Sequence, residues 1–154
     1  MTDQELKLSI PSDRNHFDRF YAAITQVVEQ LGLGDDERFR FAVCVSEAYT
    51  NAYLHGNKGD PLKNISLRFC WDENEVQVEV DDEGEGKLTG IETVDARPDV
   101  SPEKSGGRGL GIMKRYADKL TIAERVEGGL RVSITFKLRQ EAKTKQSERS
   151  NIER

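Results

Sequence analysis

Three short segments hold side chains whose types and spacing could do chemistry. They are Ser-Glu-Ala-Tyr-Thr-Asn at Ser46 to Asn51, Asp-Glu-Gly-Glu-Gly at Asp82 to Gly86, and Gly-Gly-Arg-Gly-Leu-Gly at Gly106 to Gly111. Glu47 and Asn51 stand i and i+4, so on a helix they share one face. An ionised glutamate can polarise a water or a hydroxyl. An asparagine carbonyl is a hard oxygen ligand suited to Mg²⁺, an ion that keeps several waters and also binds phosphate oxygens. Asp82 ends a strand pattern, and its carboxylate can accept a hydrogen bond from an amino group such as that of adenine. Gly84 and Gly86 remove side chains so that backbone can approach a flat ring. Gly106, Gly107, Gly109 and Gly111 precede and enter a helix, whose first N–H groups and dipole favour phosphate. Lys104 and Arg108 can meet terminal phosphate charge. Taken singly, each segment also fits a plainer reading: a solvated glutamate, an asparagine at a helix end, a tight acidic turn. His55 is read as capping its helix or packing beside the next loop, since no second ligand lies near it at metal spacing. The glycine segment is neither a P-loop, lacking Gly-Lys-Ser/Thr, nor a dinucleotide fingerprint. Together the three segments supply the parts of a magnesium–nucleotide pocket for ATP or ADP.

The elements that must position them can be read from periodicity. Leu6 to Ile10 alternates and ends at Pro11, which predicts a strand. Ser12 or Asp13 can cap the next segment, where Phe17, Phe20, Tyr21, Ile24, Val27, Val28 and Leu31 form a helical stripe ended by Gly32 and Gly34. A second helix starts at Asp35 and Asp36, with Phe39, Ala42, Val43 and Ala48 in its stripe, and runs to about His55. Gly56 to Pro61 is a loop. Ile65, Leu67 and Phe69, then Val76, Val78 and Val80, predict a hairpin around Asp72-Glu73-Asn74. Lys87 to Ser105, polar and containing Pro98 and Pro102, is read as a mobile lid. Helical spacing resumes at Leu110, Ile112, Met113 and Tyr116. A last hairpin joins Leu120 and Ile122 to Val132, Ile134 and Phe136 through Glu127-Gly128-Gly129. The order predicts an α+β sandwich of the α/β class, with a mixed, mainly antiparallel sheet and helices on one face. Ser66, Arg68, Gln77, Glu79, Ser133 and Thr135 would line the open face. Residues 1–138 read as one domain, and 139–154 as a polar, disordered tail.

A chain of 154 residues suits one domain. With 36% hydrophobic and 33% charged residues and a net charge of -5, it is polar and acidic, which argues against general affinity for nucleic acid or anionic membrane. No apolar run reaches membrane-span length, and Met-Thr-Asp-Gln-Glu-Leu-Lys lacks a signal-peptide core, so a cytoplasmic location is expected. Cys44 and Cys70 lie in apolar patterns without metal spacing and read as buried thiols.

Read jointly, the three segments resemble the N, G1 and G2 boxes of the GHKL ATPase/kinase superfamily, and the likeness extends from about Leu6 to Leu138. The chain is most similar to the bacterial anti-sigma-factor serine-protein kinases, through the run Ser46 to Gly56 (Ser-Glu-Ala-x-x-Asn-Ala-x-x-His-Gly), the two N-terminal helices and the short lid. The resemblance implies the Bergerat ATP-binding fold. It implies Glu47 as catalytic base, Asn51 as magnesium ligand, and Asp82 as the adenine-reading carboxylate with Gly84 and Gly86 supporting the ring. Gly107, Gly109, Leu110 and Gly111 would make phosphate contacts. It further implies a homodimer that sequesters a sigma factor and phosphorylates a serine or threonine of an anti-anti-sigma protein. A nucleotide-dependent regulatory module without phosphoryl transfer is the alternative. A histidine-kinase catalytic domain is disfavoured by the lack of a dimerising hairpin with a phospho-acceptor histidine ahead of the first box. One departure is visible: many relatives carry Thr after the last hairpin's glycines, where this chain has Leu130. On the first helix, Arg14 and Arg19 lie off the apolar stripe, and Arg19 is the candidate to pair with an acidic partner surface.

Overall fold

The computed structural model describes residues 4–86, 93–94 and 108–138. The expected lid and the polar tail lie outside the described residues, apart from the two-residue strand β4. In chain order the elements are β1 (Gln4–Pro11), α1 (Phe17–Leu31), α2 (Asp35–Asn51), β2 (Asn64–Trp71), β3 (Glu75–Asp81), β4 (Thr93–Val94), α3 (Arg108–Tyr116), β5 (Lys119–Glu124) and β6 (Leu130–Lys137). A 3₁₀ turn, Arg14–His16, leads into α1, and a π-helical turn, Ala52–Gly56, continues α2.

The strands form one sheet in the order β1-β2-β3-β6-β5-β4. Every described pairing is antiparallel, so the expected mixed sheet contains no parallel pair among the described residues. Period-2 alternation sends Ile65, Leu67, Phe69, Val76, Val78, Val80, Ile134 and Phe136 to the helix-covered face, where they join Phe20, Val27, Phe41 and Val45 in one core. The α+β sandwich expected from the sequence is the observed architecture.

Local chemistry explains the helix boundaries. Asp13 accepts the Asn15 N–H at 3.0 Å and so caps the 3₁₀ turn. Gly32 ends α1 in the left-handed region (φ 63°), its N–H bonding to the Val28 and Glu29 carbonyls. Asp35, Asp36 and Glu37 fill the first turn of α2, where negative charge suits the helix dipole. Tyr49 stacks on Phe20 with ring centroids 4.0 Å apart, and Phe17 meets Tyr49 and Tyr53 edge-on. These rings lock α1 against the half of α2 that bears Glu47 and Asn51.

The stripe expected on α2 is corrected by the structure. Phe39 is 59% exposed, and the buried set is Phe41, Cys44, Val45, Ala48 and Tyr49. The helix packs on the sheet and also against α3, where the Cys44 thiol lies 3.8 Å from the Met113 carbonyl. Apolar residues are therefore needed on more than one face, and the single stripe blurs. Tyr21 on α1 is likewise exposed rather than buried. Cys70 is buried, but from the open face, beside Arg68 and 3.6 Å from Glu5 Oε2.

The open face is polar, as expected, and it is also organised. Arg68 pairs with Glu5 and Glu79, while Arg131 grips Asp81 through two bonds of 2.8 and 2.9 Å. That grip raises the Arg131 pKa, the hydrogen bond to Asp81 being the largest cause. No helix among the described residues is long and apolar enough to cross a membrane.

Candidate functional site

The C-terminal half of α2, the end of β3 and the start of α3 meet at one end of the sheet. Glu47 and Asn51 project together, half-buried, from the last turns of α2. Asn51 is the final α-helical residue, and the π turn after it redirects the chain. Such turns are frequent at functional sites. The start of α3 lies directly over the pair: a β-carbon at Gly109 would come within 2.6 Å of Glu47 Oε2 and 3.2 Å of Asn51 Nδ2. Glycine at 109 is thus the residue that lets helix backbone approach this carboxylate and amide.

Asp82 is 6% exposed and is held by main chain. Its Oδ1 accepts the Gly84 N–H at 2.9 Å and the Leu130 N–H at 3.1 Å, and its own N–H bonds to the Leu130 carbonyl at 3.0 Å. Its Oδ2 faces Gly56, where a β-carbon would collide with the carboxylate. A β-carbon at Gly84 would in turn collide with the Gly56 carbonyl. The end of the π turn and the Asp82 loop are therefore in backbone contact. Asp81, next in sequence, points to the opposite face and is engaged by Arg131. Alternation alone decides which of the two adjacent aspartates can reach this pocket.

The remaining sequence-based candidates divide clearly. Leu110 and Gly111 lie on the first turn of α3, half-buried; a β-carbon at Gly111 would meet nothing within 4 Å. Gly86 lies beside Leu130, whose Cδ1 would sit 3.6 Å from a β-carbon there. Arg108 opens α3, its side chain not being described, and Lys104 and Gly107 lie outside the described residues. His55 is exposed in the π turn. Arg19 is exposed on α1, donating from Nη2 to the Ser9 carbonyl at 3.3 Å. At the position of the Leu130 departure, the polar partner of Asp82 is the Leu130 main-chain N–H.

Three residues that organise the site had no local signal of the contacts they make. Asn57, 1% exposed, donates from Nδ2 to Ser12 Oγ at 2.7 Å and to the Asn64 carbonyl at 2.9 Å. Its Oδ1 accepts the Glu83 N–H at 2.8 Å, one residue past Asp82. Gly129 (φ +87°) lies so close to the Asp82 carbonyl that a β-carbon would overlap it. Arg125 reaches the same carbonyl from the β5–β6 turn. Polar loop residues and a turn glycine were legible in the sequence, but their partners lie far away along the chain.

Burial, and then the nearby Glu47 charge, push the Cys44 thiol up to about 12. Among the described residues no group of three or more His, Cys, Asp or Glu is arranged to hold a metal ion.

Comparison with known proteins identifies the family. Residues 10–136 match the family model described as the histidine kinase-like ATPase domain. The chain is 31% identical over 136 residues to an anti-sigma F factor of Geobacillus stearothermophilus, covering 86% of this chain and 90% of the relative. It is 34% identical over 122 residues to an anti-sigma F factor of Clostridium botulinum (strain Alaska E43 / Type E3), covering 75% and 81%. It is 25% identical over 141 residues to the serine-protein kinase RsbW of Bacillus licheniformis, covering 88% and 87%. With the match spanning nearly the whole described domain, this chain belongs to the histidine kinase-like ATPase family, in the branch of the anti-sigma-factor serine-protein kinases.

Proposed function

We propose that the protein binds Mg-ATP or Mg-ADP and transfers the γ-phosphoryl group of ATP to a serine or threonine of an anti-anti-sigma protein. In its nucleotide-bound form it would sequester a sigma factor, acting in the cytoplasm as a homodimer. The observation that carries the reading is the convergence of the first and third segments: Gly109 brings the N-terminus of α3 onto Glu47 and Asn51. A helix N-terminus beside a carboxylate and an amide suits a phosphate chain bound next to a general base.

The residues fit the implied magnesium. Asn51 offers a hard amide oxygen, and a single protein ligand with shared phosphate oxygens is usual for this ion. When bound, magnesium would neutralise charge on the phosphate oxygens. The chain's own residues do the rest. Asp82 Oδ2 would accept the exocyclic amino group of adenine while Oδ1 stays tied to Gly84 and Leu130. Gly84 and Gly86 would border the ring. Gly107, Gly109, Leu110 and Gly111 would present main chain to the phosphates, with Lys104 and Arg108 beside the terminal one. Glu47 would accept the proton of the attacking hydroxyl. The new bond joins that oxygen to the γ-phosphorus, and the bond from the γ-phosphorus to the β,γ-bridging oxygen breaks, releasing ADP. Positioning and charge stabilisation supply most of the rate in such reactions.

The test uses radiolabelled ATP, calorimetry and a candidate anti-anti-sigma protein. The wild type is expected to bind nucleotide and label its partner. Glu47→Ala is expected to bind nucleotide but lose transfer, because a base acts on the transition state more than on ground-state binding. Transfer by Glu47→Ala at the wild-type rate would remove Glu47 from this role. Nucleotide binding with no transfer to any candidate would leave a binding module. No nucleotide binding by the wild type in magnesium would end the proposal.

A further inference from the structure

The geometry points to Arg125 as a positioning residue for Asp82, an inference that rests on the nucleotide reading above. Arg125 begins the turn between β5 and β6, and its side chain is only 17% exposed. Its Nη1 donates to the Asp82 carbonyl at 2.5 Å and to the Gly128 carbonyl at 3.2 Å. Its Nε lies 3.5 Å from Asp81 Oδ2, and its Nη2 lies 3.4 Å from Glu127 Oε2. One planar guanidinium therefore holds the end of β3 against the turn that precedes β6.

That join sets the aim of the carboxylate. Gly129 already packs its α-carbon onto the Asp82 carbonyl, and the next residue, Leu130, sends its N–H to Asp82 Oδ1. If the turn drifts from the β3 end, the Leu130 N–H leaves Oδ1 and the carboxylate can rotate. With the turn fixed, Oδ1 is committed and Oδ2 keeps its position beside Gly56. A lysine cannot replace this arrangement, because its single ammonium lacks the fork that spans two carbonyls and a carboxylate. Where Leu130 offers no side-chain hydroxyl, main-chain geometry must orient Asp82, and Arg125 adds a side-chain tie to the bond that the Asp82 N–H makes to the Leu130 carbonyl.

The proposal is tested by calorimetry of ATP and GTP on the intact chain. Arg125→Met keeps aliphatic bulk and removes the donors. It is expected to weaken ATP on the order of tenfold, the scale of losing hydrogen bonds made by a charged donor. The ATP-to-GTP affinity ratio should collapse with it, since the amino group is what Asp82 reads. Arg125→Lys should fall between. Arg68→Met, which removes an ion-pairing arginine from the same open face without touching Asp81 or Asp82, should leave ATP affinity unchanged. The inference is overturned if folded Arg125→Met keeps wild-type ATP affinity and selectivity. It is also overturned if ATP and GTP weaken equally, the mark of a merely structural role, or if Arg68→Met weakens ATP as much. Should Arg125→Met fail to fold, Arg125→Lys is judged by the same criteria. A wild type that binds no ATP, or binds ATP and GTP alike, defeats the adenine reading of Asp82 itself and the inference with it.

Discussion

At the scale of single residues, the site depends on which oxygen of Asp82 is committed. Oδ1 takes two main-chain N–H groups, so the chemistry offered outward is that of Oδ2. Asp82→Asn retains an oxygen for those donors but sets an NH₂ where the acceptor was. It is expected to weaken ATP by about 1–3 kcal/mol, the range for losing a buried or charged hydrogen bond, measured by calorimetry against the wild type. The buried thiol and phenol make a separate prediction. Burial raises Cys44 from its ordinary 9.0 to about 12 and Tyr49 from 10.0 to about 12. Both groups are neutral acids held neutral by the fold, so the unfolded chain releases their protons first as pH rises. Their contribution is full below about pH 9 and is lost progressively up to about pH 12, because the folded state then binds more protons than the unfolded one. Melting temperature should fall above about pH 9, and less steeply in Cys44→Ala, where Tyr49 and Cys70, whose thiol burial also raises, still contribute. An unchanged slope in Cys44→Ala would show that this thiol does not contribute.

At the scale of elements, the site is a junction of three segment ends, and Asn57 is the brace at that junction. It joins the β1–α1 corner through Ser12, the start of β2 through the Asn64 carbonyl, and the Asp82 loop through the Glu83 N–H. Asn57→Ala leaves buried donors and acceptors without partners. It is expected to cost about 3 kcal/mol, read as a lowered urea midpoint with unchanged slope. The elements themselves were largely legible. Alternation in Ile65 to Phe69, in Val76 to Val80 and in Val132 to Phe136 gave the strands, because each buries one face only. The stripe of α1 was legible for the same reason, Tyr21 excepted. The face of α2 was not, since Phe41 and Cys44 serve two different neighbours and no single period describes them. Glu47 with Asn51, Asp82 and Gly109 were legible as local motifs. Asn57, Arg125 and Gly129 were not, because their meaning lies in contacts to Glu83 and Asp82 that no window along the chain contains.

At the scale of the whole molecule, helices cover one face of the sheet and ion pairs line the other. Arg19 is exposed on α1, where its side chain donates to the Ser9 carbonyl at 3.3 Å. If the α1 surface engages an acidic partner, Arg19→Ala should weaken capture of the sigma factor or the anti-anti-sigma protein while nucleotide affinity stays at the wild-type value. A titration in which Arg19→Ala binds each partner as tightly as wild type would return this residue to the solvated surface. The sheet's centre has a different consequence. Val78 pairs with Ile134, and Asp81 with Arg131, so β3 and β6 close a long excursion of chain that runs from Asp82 through α3. The entropy of such a closure grows only logarithmically, by about 0.6 kcal/mol per doubling of length. The search for the pairing, by contrast, slows with sequence separation. Lengthening or shortening that excursion is therefore felt in how fast the chain becomes competent to take a ligand, and much less in how firmly it stays folded afterwards.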